Sequence, residues 1–100
     1  MIQNTSIGTT NTAILTATSD TAVVSIFFYN SGIANTLLTC YAYPSGNTAE
    51  DGNAIFQVSI SPKDTFIWSS DEKLLLQSGA VISATASNTG ITATINYMEM

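Results

Sequence analysis

No histidine and no arginine occur among the 100 residues, and Lys63 and Lys73 are the only cationic side chains. Without a basic surface to neutralise phosphates, nucleic-acid binding is not expected. Without histidine, no side chain titrates near neutrality at its ordinary pKa, which removes most general-base schemes and any base partner for a nucleophile. The lone Cys40 can form neither an internal disulfide nor a cysteine-based zinc site. The expectation is a non-enzyme with no cofactor and no metal.

Targeting features are also missing. Met1–Ser6 has no cationic stretch leading into an apolar core, so no secretory signal is expected. The most apolar run, Ala22–Tyr29, is interrupted by Ser25 and is far shorter than the ~20 residues a spanning helix needs. These features predict a soluble protein made in a reducing cytoplasm, with no membrane partner. The sequon Asn4-Thr5-Ser6 then reads as chance.

Charge is scarce: 9% of residues, against about 25% in an ordinary domain. Seven acids against two lysines give −5 and a pI near 4.1. Hydroxyls and amides fill the gap, with 15 Thr, 12 Ser and 8 Asn. A free protein usually blunts its strand edges with mixed charge. A hydroxyl that finds a partner costs far less to bury than a charge, so such a surface suits life inside an assembly.

A mass of 10.5 kDa sets one domain, with about 5,400 Å² expected to be exposed after folding. Spacing points to strands almost everywhere. Thr12–Thr18 is stopped by Ser19-Asp20. In Thr21–Tyr29, Val24, Ile26 and Phe28 form one face and Val23, Ser25, Phe27 and Tyr29 the other, both apolar. Asn30-Ser31-Gly32 ends that strand through residues that tolerate positive φ. Further strands are predicted over Thr36–Tyr43, Ala54–Ile60, Thr65–Ser69, Leu74–Leu76, Val81–Ser87 and Ile91–Met98. Ser61-Pro62-Lys63-Asp64 fits a type I turn, and Asn88-Thr89-Gly90 a hairpin loop with glycine left-handed. Ser69 with Glu72 matches a capping box, which allows one helical turn. About eight short strands with Gly, Pro and Asn punctuation predict an all-β fold, a single antiparallel β-sandwich, immunoglobulin-like or jelly-roll-like. Residues 1–11 lack alternation and are expected to be an extended N-terminal arm; residues 12–100 form the sandwich domain.

The remaining constellations have plain structural accounts. Glu50-Asp51-Gly52-Asn53 offers too few oxygens for calcium and reads as a solvated turn. Asp64, Asp71 and Glu72 could pair as glycosidase carboxylates, but Lys63 and Lys73 beside them make loose surface ion pairs simpler. Cys40 alternates with Leu38 and Ala42 as a small core residue. Tyr29, Tyr41, Tyr43 and Trp68 either close the core or present an aromatic surface for a sugar or a protein.

The segments Leu76-Gln77-Ser78-Gly79-Ala80-Val81-Ile82-Ser83-Ala84-Thr85-Ala86-Ser87 and Ile91-Thr92-Ala93-Thr94-Ile95-Asn96-Tyr97-Met98-Glu99 resemble the ending of small tailed-bacteriophage virion proteins. In those, a Leu-x-x-Gly turn leads through a strand of small residues and a hairpin to a last strand ending near an acid. Ala22–Asn30, ending in Phe28-Tyr29-Asn30, is similar to their apolar strand followed by Asn, whereas Ala80 stands where they commonly carry Asp. The resemblance implies a capsid decoration, or cement, protein on the virion's capsid surface, made in the host cytoplasm. Its partners would be the major capsid protein and further copies of itself, a trimer being favoured. Interface candidates are then Val23, Phe27 and Tyr29, or Leu37, Tyr41 and Tyr43, together with Ile2 and Ile7 of an arm that crosses to a neighbour. A neck, tail or fibre component is the alternative, and a carbohydrate-binding module using Tyr41, Tyr43 or Trp68 a third.

Overall fold

β-branched and aromatic residues favour the extended, pleated backbone, and the chain uses it for eight strands. These are β1 (Ile2–Ile7), β2 (Thr12–Thr16), β3 (Thr21–Asn30), β4 (Thr36–Tyr43), β5 (Ala54–Ile60), β6 (Thr65–Leu76), β7 (Val81–Ala86) and β8 (Ile91–Glu99). A computed structural model describes residues 1–99, the side chains of residues 70–73 excepted.

The strands pair first with last: β1 with β8, β2 with β7, β3 with β6 and β4 with β5, all antiparallel. Further pairing of β3 with β8 and of β4 with β7 completes two four-stranded sheets, ordered β1-β8-β3-β6 and β2-β7-β4-β5. This nested order is that of a jelly roll, which settles the choice the strand count left open. The accessible surface, 5396 Å², matches the area scaling for a compact chain of this mass.

The core lies between the sheets. Ile26 and Phe28 of β3 face Leu38 and Cys40 of β4 and Ile82 of β7, all fully buried. Phe28 meets Phe56 edge-on at 5.6 Å, and Phe56 meets Phe66 at 5.1 Å. Trp68 packs against this core from β6, opposite Ile26.

Local rules fail at several places, each for an identifiable reason. The expected arm is strand β1, hydrogen-bonded along β8 of the same chain from Ile2↔Asn96 to Ile7↔Ile91. Ile7, its last residue, faces inward and is 2% exposed, so it is core rather than a contact for a neighbour. The register of β3 shifts between Val23 and Ser25 against both of its neighbours. Such a bulge reverses which residues face in. Thr21 and Val23 point inward below it, and Ile26, Phe28 and Asn30 above it. Val23 is therefore buried in the core and is no interface residue.

The two strands expected at Thr65–Ser69 and Leu74–Leu76, with a helical turn between them, are the single strand β6. Pairing with β3 on either side of the register shift overrides the local capping pattern. The turn Ser61–Asp64 closes with Asp64 N–H on Ser61 O at 3.1 Å, but Lys63 has φ 62°. That is type II geometry at the third residue, not type I. Gly90, at φ 110°, takes the positive-φ position in the last hairpin as expected. Asn30 and Gly32 are absent from the positive-φ residues; Asn30 ends its strand by side-chain hydrogen bonding instead.

Candidate protein-interaction face

Because β1, β8, β3 and β6 lie side by side in register, their outward residues form continuous rows. One row runs Asn4–Thr94–Phe27–Ile67; its neighbours are Ser6–Thr92–Tyr29–Thr65 and Ile2–Asn96–Ser25–Ser69. Beyond the bulge, Met98 and Leu75 flank the small Ala22. No charged side chain stands in any of these rows. Nine large apolar side chains are exposed among the described residues. Six belong to this face, from Tyr29 at 40% to Ile2 at 71%.

The shape follows from residue size. Thr94 and Asn96 on β8 are less bulky than Ile2 on one side and Phe27 on the other, and a groove of about 360 Å³ runs between them. Its polar groups are partly satisfied laterally: Thr94 Oγ1 donates to Asn4 Oδ1 at 2.7 Å. The described acids and the lysine sit away from the rows. Asp20, Glu50, Asp51, Lys63 and Asp64 lie outside the β-strands, and Glu99 ends β8. Single exposed apolar residues are ordinary, but a contiguous patch of this kind marks an interaction surface.

Of the interface candidates, Phe27, Tyr29 and Ile2 come together on this face. Leu37, Tyr41 and Tyr43 lie on the outer side of the opposite sheet, Leu37 exposed and both tyrosines half-buried. That second face is also uncharged but more polar, with Gln57 Nε2 donating to Thr39 Oγ1 at 2.9 Å and Ser87 Oγ accepting from Leu37 N–H at 2.9 Å. Trp68, turned toward the core, is lost to any aromatic platform with Tyr41 and Tyr43.

Sequence reasoning missed Ile67, Leu75 and Met98. A signal existed: in Phe66-Ile67-Trp68 and Leu74-Leu75-Leu76 a strand that turns both flanking residues inward must turn the middle one out.

The other constellations resolve into local structure. Asp51–Asn53 forms one 3₁₀ turn. Asn53 accepts from Glu50 N–H at 3.0 Å and donates to Thr48 O at 2.8 Å, so its amide is engaged within the loop. The side chains of Asp71, Glu72 and Lys73 lie outside the described residues. Cys40 is fully buried, and desolvation pushes its thiol up to about 12, a backbone hydrogen bond at Tyr41 opposing weakly. A thiol so far from ionising is a packing group.

Ser83 Oγ is the one buried side-chain polar atom without a hydrogen-bond partner among the described residues. The residue sits on the outward side of β7, in register with Ala13 and Tyr41, yet it is fully buried. An orphaned buried hydroxyl costs about 1–3 kcal/mol. Ser83→Ala is therefore expected to stabilise the fold by about 1 kcal/mol, raising Tm by roughly 4–8 °C in calorimetry. A lower Tm would show that the hydroxyl has a partner after all.

Comparison with known proteins gives no further handle: no protein-family model, no curated protein and no solved structure matches this chain.

Proposed function

We propose that this chain is a structural virion protein, a capsid decoration or cement protein. It would dock on an assembled phage shell through the outer face of the β1-β8-β3-β6 sheet. The observation that carries the proposal is the gathering of six large exposed apolar side chains on one sheet face, in rows that hold no charge among the described side chains. The resemblance of Leu76–Glu99 to tailed-phage virion proteins supplies the kind of partner. Jelly rolls recur in viral capsid proteins, which is fold-level support only.

The mechanism is mass action. A protein that binds the closed shell but not its separated subunits stabilises the shell by its binding free energy. Six half-exposed apolar side chains, at about half the ~1.5–3 kcal/mol of full burial, contribute roughly 5–9 kcal/mol gross. Ordering and lost translational freedom offset an estimated 4–15 kcal/mol of any association. One copy would thus bind weakly, and a stable coat needs copies joined to one another so that their contacts add.

The test is co-sedimentation with particles of the encoding phage, with copies counted against the major capsid protein. Hundreds per particle are expected; a dozen or fewer would move the assignment to the neck, tail or a fibre. No association would end it. Phe27→Ser combined with Ile67→Ser should weaken particle binding by roughly 30-fold or more, while Tm moves by only a few degrees because both side chains start exposed.

A further inference from the structure

A sheet edge is a row of unpaired backbone groups, and chains normally protect it with charge, proline, a bulge or shortness. The sandwich has four edges. β6 carries Asp71, Glu72 and Lys73 in its sequence; β2 has only five residues and a register shift. β5 lies between Glu50-Asp51 and Pro62-Lys63 and meets a register shift in its pairing with β4. β1, Ile-Gln-Asn-Thr-Ser-Ile, has none of these devices: six residues without charge, proline or shift.

The backbone of β1 alternates between its two sides. Tyr97 N–H donates to Met1 O at 2.9 Å, so Met1 and Tyr97 form a hydrogen-bonded pair. With an unbroken antiparallel register, Gln3, Thr5 and Ile7 also bond to β8, and Ile2, Asn4 and Ser6 turn both N–H and C=O to the open edge. Among the described residues nothing bonds to those edge groups. The inward side chain of Gln3 instead reaches across to β2, Nε2 donating to Ile14 O at 2.8 Å, and closes the sandwich beneath the edge without covering it.

We infer that this edge pairs with the same edge of a second copy, antiparallel, about a two-fold axis through Asn4. Only the register that sets Ile2 of one copy against Ser6 of the other, with Asn4 against Asn4, engages all three edge residues of both chains. Each pair then exchanges two N–H···O=C bonds. A two-fold axis makes the contact self-complementary, and an edge without charged side chains sets no like charges against each other. The outcome is one eight-stranded sheet ordered β6-β3-β8-β1-β1-β8-β3-β6. Because the axis is perpendicular to the sheet, both apolar outer faces stay on one side and Ile2 of each copy flanks the axis. Antiparallel pairing of identical strands is two-fold by construction, so it builds dimers rather than the three-fold ring the resemblance implies. It stands whether or not the docking face meets a phage shell.

The test uses the purified protein alone. Sedimentation over a concentration series should show a species of twice the 10.5 kDa chain mass. Hydrogen exchange should show protection of the Ile2, Asn4 and Ser6 amides that rises with concentration. These amides have no partner in a single chain, so a dimer that stacks sheet faces would leave them fast. Asn4→Pro removes the central edge donor while leaving the β8 ladder whole, since the Asn4 N–H faces away from β8. It should weaken dimerisation at least about tenfold. Asn4→Lys, which sets two cations together at the axis, should do the same if the proline variant folds poorly. A monomer at every concentration overturns the inference. So does a dimer whose edge amides exchange freely, or one indifferent to both substitutions.

Discussion

Asn30→Leu is expected to lower stability by about 3–5 kcal/mol, because it removes a side chain whose every polar atom is in use. Asn30 is fully buried at the end of β3. Its Nδ2 donates to Ala34 O and to Ile60 O, both at 2.9 Å, and its Oδ1 accepts from Gly32 N–H at 2.9 Å. Its backbone N–H reaches Asp64 O at 3.0 Å, and its carbonyl accepts from Lys63 N–H at 2.7 Å. One residue thus ties the β3–β4 loop, the end of β5 and the β5–β6 turn together. Leucine has the same branched heavy-atom skeleton and is the larger residue, so a cavity is not the issue. The loss is the two bonds that Nδ2 donates to Ile60 O and Ala34 O, the latter keeping only the Thr36 hydroxyl at 3.2 Å, and the acceptor of the part-buried Gly32 N–H. For a domain of this size the Tm should fall by roughly 12–30 °C. A fall of only a few degrees in calorimetry would mean that water replaces the amide freely, and that the loop cluster does not depend on it.

Asn30 also marks where local reading stops. As a residue tolerant of positive φ it signalled correctly that a strand ends there, but by the wrong mechanism, since the partners lie 4 and 30 residues away. The same division holds elsewhere. β4, β5 and β8 were legible because one side of each packs on the core, fully or partly buried, and period-2 alternation records that directly. β1 was not legible: it is an edge strand with one exposed face, and of its inward residues Gln3, Thr5 and Ile7 only the last is apolar. The pairing of first strand with last, which makes the fold a jelly roll, depends on partners up to 94 residues apart, as in Ile2↔Asn96. No local window contains that information. At the candidate face, Phe27, Tyr29 and Ile2 were visible as apolar residues left over once a core face was drawn. Val23 was misplaced because a one-residue bulge leaves no mark in composition.

The two phenylalanines in the middle of β3 separate these surfaces by experiment. Phe28→Ala should cost about 3–5 kcal/mol, the range for a large aromatic lost from a rigid core. Phe28 is fully buried, meets the edge of Phe56 at 5.6 Å, and stands in register between Phe66 of β6 and Ala93 of β8. Ala93 is too small to fill the void, and Phe66 is held against Phe56 at 5.1 Å, so the site cannot collapse and the cavity term persists. Phe27, the preceding residue, is 42% exposed on the outer face. Phe27→Ala should leave Tm within a few degrees, since surface substitutions away from buried networks change stability by about 0.5 kcal/mol or less. Phe28→Ala should lower Tm by roughly 12–30 °C. Particle binding should follow the opposite order: Phe27→Ala weakens it while the fold persists, and Phe28→Ala, assayed well below its own Tm, binds as the parent chain does. Equal losses of stability for the two variants would place both side chains in one environment. The alternation of β3 beyond its bulge would then be wrong, and with it the face assigned to docking.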